Sequence, residues 1–233
     1  AKKILQYAFN DNTETLKGST ITETEPIEWP HPTLMRYHLF LQQEEKLKDY
    51  DYIFYMDADM RVVAKISDEV LGEGLTVAAH PMYYLNYRLA PPLEPNPQSA
   101  SYIPRLGEIR KGSDGRDRFM QFYAAGGYQG GTSAEFIKAM KEMRSKIDKD
   151  FNINYIPLWN DETVWNKYLW DYQQQGGKIL FLDPSYVYPD SLIQEYYVSK
   201  VWGRNFDPKI ITLTKPFTLS AEGAEEINKF IKV

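Results

Sequence analysis

The sequence predicts an α/β fold with a mixed, mainly parallel sheet flanked by helices, and two observations support this prediction. Short apolar runs bounded by polar residues, namely YIFYM at 52–56, LTVAAH at 75–80 and KILFL at 178–182, are typical of buried strands. Longer segments with apolar residues at helical spacing lie between such runs. Strands that alternate with helices along one chain form parallel sheets with crossover helices.

The first half of the chain predicts a parallel βαβ unit. A strand is expected at 2–11 (KKILQYAFND), a helix over Thr33–Lys48 and a second strand at YIFYM. A short helix near Ser67–Leu71 then leads to the strand LTVAAH. The stretch 81–118 is rich in proline, glycine and tyrosine, and long loops of this kind are usually functional or disordered.

The second half begins with a glycine-rich turn, AAGGYQGG at 124–131, that leads directly into a helix. Thr132–Glu135 has the pattern of a capping box, and the helix that it opens is expected to end near Ile147. Another helix starts near Asn160, KILFL forms a strand, and a last helix lies near Ser220–Ile231. Since we find no internal repeat and no dividing linker, we expect a single domain over 1–233.

Composition excludes several classes of protein. The chain has 233 residues, of which 43% are apolar and 15% aromatic, enough for a substantial core. The net charge of −5 without a basic stripe argues against nucleic-acid or anionic-membrane binding. The absence of cysteine suits a reducing compartment, so we expect a cytoplasmic protein. No apolar stretch is long enough for a transmembrane helix.

A pair of carboxylates, Asp57 and Asp59, directly follows the strand YIFYM. Ligands of open α/β sheets bind outside the carboxyl ends of the strands. On an extended backbone alternate side chains point the same way, so the pair can converge on Mn²⁺ or Mg²⁺ and leave coordination positions for phosphate oxygens. The alternative is a turn in which the aspartates bond their own backbone.

Other polar groups are less specific on their own. Asp161 and Glu162 fall in the first turn of a helix, where acidic residues are favoured by the helix dipole alone. The turn AAGGYQGG lacks a P-loop lysine and dinucleotide spacing, so its glycines permit close approach of a flat ligand such as a sugar, or tight packing. The three histidines are scattered, which disfavours a zinc site. Paired carboxylates also leave glycoside hydrolysis conceivable.

Four motifs taken together resemble glycosyltransferase family 6, which includes histo-blood-group A/B transferases, α1,3-galactosyltransferase and bacterial relatives. They are YMDADM, SASYIP, YAAGGYQGG and LWNDETVWNKYLW, in the family's order and approximate spacing, and the resemblance covers roughly Lys3 to Pro189. It implies a GT-A fold, a Rossmann-like nucleotide-sugar-binding architecture. It further implies a UDP-galactose or UDP-N-acetylgalactosamine donor and a β-galactoside oligosaccharide acceptor, joined in an α1,3 linkage with retention.

The resemblance assigns roles to individual residues. Asp57 and Asp59 match the family's D-x-D and are expected to bind Mn²⁺, with Mg²⁺ as a substitute, together with the UDP diphosphate. Glu162 resembles the catalytic glutamate, acting as nucleophile or stabilising an oxocarbenium-like centre. Asp161 resembles the carboxylate that holds donor-sugar hydroxyls. Arg36 is similar to the arginine beside the D-x-D, although without the family it would be interpreted as a solvated helix residue.

Further substrate-binding residues are expected around these groups. Ala125, Gly126 and Gly127 match the triplet that tunes the donor, and the small Gly127 favours N-acetylgalactosamine. His80 matches the start of the acceptor loop, and Trp159 begins the segment in which Asn160 replaces the family's usual histidine. Lys215, together with Lys200 and Arg204, is a candidate to close over the diphosphate.

The chain also departs from the family pattern. LEPNPQ stands where F-T-Y-E-R-R is common, the segment GEIRKGSDGRD has no clear counterpart, and the family's first strand and helix are expected before Lys3. Two alternatives are therefore a non-catalytic nucleotide-sugar or glycan-binding module and a family 8-like retaining transferase. The second is disfavoured because the H-x-x-G-x-x-K-P-W pattern of family 8 is missing.

Overall fold

The structure, a computed structural model, describes residues 27–84, 91, 93–104, 123–190 and 206–213, together with the backbone of strands at 6–10 and 19–23. The strands are β1 (Gln6–Asn10), β2 (Ser19–Glu23), β3 (Tyr52–Met56), β4 (Met60–Val62), β5 (Leu75–Ala79), β6 (Ala124–Thr132), β7 (Ile179–Leu182), β8 (Tyr188–Pro189) and β9 (Ile210–Thr212). The helices are α1 (His31–Leu34), α2 (Arg36–Leu41), α3 (Glu44–Leu47), α4 (Ser133–Asn152) and α5 (Asn160–Gln174). The helix predicted near Ser220–Ile231 lies outside the described residues.

The central sheet has the strand order β3-β6-β5-β7. Strand β6 runs antiparallel to β3 and to β5, and only the β5–β7 pairing in this sheet is parallel. The α/β class is therefore confirmed, but the sheet is mixed rather than mainly parallel. The difference arises from AAGGYQGG, which was predicted as a turn and instead forms most of the nine-residue strand β6.

Glycine at 130 explains why this segment enters the sheet despite its weak β propensity. A Cβ added at Gly130 would lie 2.4 Å from Cδ1 of Phe54 and 2.5 Å from the carbonyl oxygen of Ile53. Only a residue without a side chain therefore allows β3 and β6 to approach this closely. Close packing against the neighbouring strand outweighs the entropic cost of the glycine here.

The predicted βαβ unit is wrong in its pairing. Strand β1 pairs in parallel with β2, a strand that was not predicted. Among the described strands, β1 does not pair with β3. The helix expected over Thr33–Lys48 is divided into α1, α2 and α3, with breaks at Met35 and at Gln42 and Gln43. Each of the three short helices still buries at least one residue in the main core.

Predictions for the second half are closer to the structure. Helix α4 begins where the capping box indicated, although Thr132 makes no side-chain cap hydrogen bond, and it ends at Asn152 instead of Ile147. Helix α5 begins at Asn160, as predicted. A second sheet, with the order β4-β9-β8, was not predicted because strands of two or three residues carry almost no periodic signal.

Apolar residues cover both faces of the central sheet. On one face α2, α4 and α5 pack around Trp165, Phe136 and Met140, all fully buried. A second apolar cluster includes Ala78, Ala125 and residues that come before or after the strands of the central sheet in the sequence. None of its residues belongs to α2, α4 or α5. This packing brings the first turn of α5 to the end of β3. None of the described helices combines the length and the apolar character needed to cross a membrane.

Candidate active site

The Asp57–Asp59 pair lies in a turn directly after β3. The amide of Asp57 donates to the carbonyl of Gly127 at 3.0 Å, and the amide of Met60 donates to the carbonyl of Asp57 at 3.1 Å. The second of these hydrogen bonds closes a turn, so the backbone between Asp57 and Met60 is not the extended one expected from the sequence. The carbonyl of Asp59 accepts the amide of Leu213 at 2.8 Å, which ties this turn to the end of β9.

Arg36 of α2 joins two acidic groups that are far apart in sequence. Its Nη1 lies 3.3 Å from Oδ1 of Asp57 and 3.1 Å from Oδ2 of Asp161, and its guanidinium lies 4.5 Å from the ring centre of Tyr55. The side chain is only 11% exposed, so it is not a solvated surface arginine. Burial alone would lower the pKa of Arg36, but Asp161, Tyr55 and Asp57 together raise it, so the guanidinium stays charged.

Glu162 lies one residue further along the first turn of α5 and faces β6. Its Oε2 accepts the backbone amide of Gly126 at 2.8 Å. Burial raises the pKa of Glu162 to about 7, against the lowering effect of the Gly126 amide and of the Tyr123 phenol. Burial also raises the pKa of Asp161 to about 7, although Arg36 opposes this. Two adjacent carboxylates with raised pKa values are typical of functional sites.

A bulge in β6 shapes the floor of the site. Val77 pairs with Gln129 and Ala79 with Ala124, so four residues of β6 lie opposite Ala78 alone. The bulge contains Gly126, whose amide donates to Glu162, and Gly127, whose carbonyl accepts the amide of Asp57 in continuation of the β3–β6 register. Bulges often re-aim backbone groups beside active sites.

The predicted triplet at 125–127 divides into two parts. A Cβ at Gly126 would lie 3.0 Å from Cβ of Glu162, and a Cβ at Gly127 would lie 2.8 Å from Oδ2 of Asp57. Both glycines therefore let a carboxylate lie against β6. Ala125 is buried in the second apolar cluster, and no carboxylate belongs to that cluster.

Asn166 is a residue of the site that sequence reasoning missed. Its Oδ1 accepts the amide of Ala124, and its Nδ2 donates to the carbonyls of Ala124 and Glu162, all at 2.9 Å. This pairing fixes α5 against β6 one helical turn after Glu162. The signal was available, because Asn166 follows Glu162 at the i+4 spacing that puts two residues on one helix face.

The carbonyl of Gly126 is held as firmly as its amide. Nε2 of the fully buried Gln129 donates to this carbonyl at 2.9 Å, and Oε1 of Gln129 accepts the hydroxyl of Tyr37 at 3.0 Å. Both backbone polar groups of Gly126 are therefore hydrogen-bonded, the amide to Glu162 and the carbonyl to Gln129. Such preorganisation is what a catalytic carboxylate requires.

His80 follows β5 and is connected to the site through an aromatic contact. Its ring centre lies 5.9 Å from that of Tyr123, the phenol that interacts with Glu162. Its Nδ1 accepts the amide of Met82 at 3.2 Å, and burial lowers the pKa of His80 to about 4, so the ring is neutral at neutral pH.

Trp159 precedes α5 and, at 49%, is the most exposed of the predicted site residues that the structure describes. Its amide donates to Oγ1 of Thr163 at 2.9 Å, and its carbonyl accepts the amide of Glu162 at 3.1 Å. Asn160 has a φ of 51°, in the left-handed region that asparagine tolerates. Lys215, Lys200 and Arg204 lie outside the described residues.

The oxygens of Asp57 and Asp59 suit a hard divalent cation. Among the described residues no group of three or more histidine, aspartate or glutamate side chains could hold a metal. Mg²⁺, however, is usually bound by one or two carboxylates together with phosphate oxygens of the substrate. Both Arg36 and Tyr55 contact Oδ1 of Asp57, and its side chain stays 33% exposed, which is consistent with such a mode of binding.

A mixed α/β core with carboxylates clustered at the end of β3 is consistent with a GT-A-like glycosyltransferase. The model of Glycosyltransferase family 6 matches residues 27–202, and the chain belongs to this family. The resemblance of the four motifs is thus confirmed.

Two relatives agree with this membership. The chain is 27% identical over 188 residues to the O-antigen biosynthesis glycosyltransferase WbnI of Escherichia coli, a match that covers 80% of this chain and 69% of that protein. It is 26% identical over 202 residues to the Histo-blood group ABO system transferase 1 of Rattus norvegicus, covering 82% of this chain and 53% of that protein. The chain therefore spans about half the length of the rat relative.

Proposed function

We propose that the chain is a retaining hexosyltransferase that uses a UDP-sugar donor. It moves N-acetylgalactosamine or galactose to the 3-OH of a β-galactoside oligosaccharide and forms an α1,3 linkage. One observation carries this proposal: the carboxylate of Glu162 is held 2.8 Å from the Gly126 amide, in a group that also contains Arg36, Asp57 and Asp161. The absence of cysteine makes a cytoplasmic location part of the same proposal.

The donor diphosphate is proposed to bind near Asp57 and Asp59 with Mn²⁺ or Mg²⁺. When bound, the cation supplies Lewis-acid stabilisation of the charge on departing UDP. Arg36 fixes the carboxylate of Asp57 in place, and as a buried cation it offsets repulsion among the clustered carboxylates. Asp161, held by the same guanidinium, is then placed to accept hydroxyl groups of the donor sugar.

The transfer itself breaks the bond between C1 of the sugar and the diphosphate oxygen, which keeps the electron pair. In one route the ionised Glu162 attacks C1 and forms a glycosyl ester, which the acceptor hydroxyl then displaces. In the other route Glu162 stabilises an oxocarbenium-like centre while the acceptor oxygen attacks the same face. In both routes the acceptor proton passes to an oxygen of the UDP diphosphate.

Selection of the donor is proposed to depend on Gly127. Position 127 lies in the triplet that resembles the family's donor-tuning residues, and its lack of a side chain favours N-acetylgalactosamine over galactose. The same position also accommodates Oδ2 of Asp57, since an added Cβ would lie 2.8 Å from this oxygen. Donor choice and the placement of the carboxylate are therefore linked at one residue.

The test of the proposal is UDP release from UDP-N-acetylgalactosamine and UDP-galactose with Mn²⁺ and a panel of β-galactosides. We expect metal-dependent turnover by the wild type, and we expect Glu162→Gln to lower kcat by at least about a hundredfold while the donor still binds. Glu142→Gln, on the exposed face of α4, is the matched control and should retain full activity. Wild-type turnover by Glu162→Gln would refute the assignment, and UDP binding without any turnover would favour a non-catalytic binding module.

A further inference from the structure

Two buried carboxylates, Glu94 and Asp150, lie outside the group of residues described above. Glu94 is 1% exposed and Asp150 is fully buried. Buried carboxylates are costly unless hydrogen bonds satisfy their oxygens, so their partners indicate what they hold in place.

Glu94 connects the loop at 93–104 to the segment that leads into α5. Its Oε1 accepts the hydroxyl of Tyr155 at 2.6 Å and the amide of Asn96 at 2.9 Å. Its Oε2 accepts the amide of Leu158 at 2.9 Å. Both carboxylate oxygens are therefore hydrogen-bonded. Oε1 accepts one of its two bonds from within the loop, and Oε2 accepts its bond from the backbone amide of the residue directly before Trp159.

Asp150 makes a second connection between the same loop and the end of α4. Its carboxylate accepts the hydroxyl of Ser99 at 2.9 Å and the amide of Ala100 at 2.7 Å. Its carbonyl accepts the amide of Tyr155 at 2.9 Å. Through these bonds the loop at 93–104, the end of α4 and the segment 155–158 form one connected unit.

This unit ends at the active site. The carbonyl of Trp159 accepts the amide of Glu162, and the indole beside it is about half exposed, as are Ile156 and Leu158. An exposed indole with apolar neighbours suits the less polar face of a sugar ring. The hydrogen bond from the Leu158 amide to Glu94 fixes the Pro157–Leu158 peptide group, the second peptide group before Trp159.

We infer that Glu94 is a positioning residue for the acceptor glycan. It holds the Trp159 side of the site in the conformation that receives the acceptor, and it takes no part in activating the donor. The inference rests on the proposed transferase function. Preorganising a binding segment improves affinity because less conformational entropy is lost when the ligand binds.

The test separates acceptor binding from donor activation. Slow hydrolysis of the UDP-sugar without acceptor depends on the donor site and Glu162, whereas transfer also requires the acceptor surface. We expect Glu94→Gln to raise the KM for the β-galactoside by about tenfold or more, because it replaces one carboxylate oxygen by an NH₂ group facing backbone or phenol donors. Donor hydrolysis should stay within about twofold of the wild-type rate. Glu142→Gln is again the matched control.

Two kinetic results would overturn this inference: an unchanged acceptor KM, or equal losses in hydrolysis and transfer, which indicate a general structural role. Amide hydrogen exchange gives a readout that does not require turnover. Glu94→Gln should accelerate exchange at Leu158, whereas Asp150→Asn should accelerate it at Ala100. If the wild type neither hydrolyses nor transfers, the proposed function fails, while unchanged exchange at Leu158 in Glu94→Gln would separately refute the positioning role.

Discussion

The contact between Asn166 and β6 provides a sharp test of how the site is held together. In Asn166→Asp an oxygen replaces the Nδ2 that donates to the carbonyls of Ala124 and Glu162, so two hydrogen bonds of 2.9 Å become contacts between oxygens. The bond from the Ala124 amide to Oδ1 remains available. Each hydrogen bond lost at a buried site costs about 1–3 kcal/mol, so the variant should lose about 2–6 kcal/mol of unfolding free energy at pH 8.

The size of this loss should depend on pH. A carboxyl group buried against carbonyl oxygens has a raised pKa in the folded state, and its protonated form can donate one of the missing bonds. The folded variant therefore binds a proton that the unfolded chain releases, so its stability relative to wild type should be greatest at low pH and fall as pH rises.

Urea unfolding followed by tryptophan fluorescence at several pH values measures both effects. Asn152→Asp, at the exposed end of α4, is the matched control and should change the unfolding free energy by less than about 0.5 kcal/mol. At pH 8 we also expect kcat to fall, because the register that places Glu162 beside Gly126 depends on this contact. A variant with wild-type stability at pH 8, or one whose deficit grows as pH falls, would contradict this account.

Three further predictions concern charge in the site. Burial raises the pKa of Asp161 and Glu162 to about 7, so the folded chain keeps protons that the unfolded chain releases above about pH 4.5, and the unfolding free energy should fall as pH rises through this window. Glu162→Gln should make the unfolding free energy depend less steeply on pH. The wild-type kcat/KM should rise with pH through about 7, because Glu162 ionises over this range. A kcat/KM that falls over the same range would contradict a role for ionised Glu162. Removal of divalent cations with EDTA should abolish UDP release. Asp59→Asn should weaken the binding of Mn²⁺ and of UDP together, as measured by calorimetry. Full transfer in EDTA would show that the carboxylates do not act through a metal.

The sequence predicts local features of the fold well and strand pairing poorly. The start of α5 and the strands β3, β5 and β7 follow from apolar periodicity and from residues near helix ends, which are local signals. Strand β6 was missed because its glycines are unfavourable in an isolated strand. Its stability comes from neighbours such as Phe54, whose close approach only a glycine permits and whose position in the fold no local pattern encodes.

The candidate site shows the same difference between features encoded locally in the sequence and features that depend on contacts between distant segments. Family resemblance selects Asp57, Asp161 and Glu162 because motifs are contiguous in sequence, and the structure places their side chains in one group around Arg36 and the β6 bulge. What holds that group together is contacts between distant segments, and such contacts leave little trace in any single motif. Asn166 and Glu94 illustrate this, since each is an ordinary polar residue until the backbone groups of another segment lie against it. A variant of either residue therefore tests the arrangement of the site, whereas a variant of Glu162 tests its chemistry.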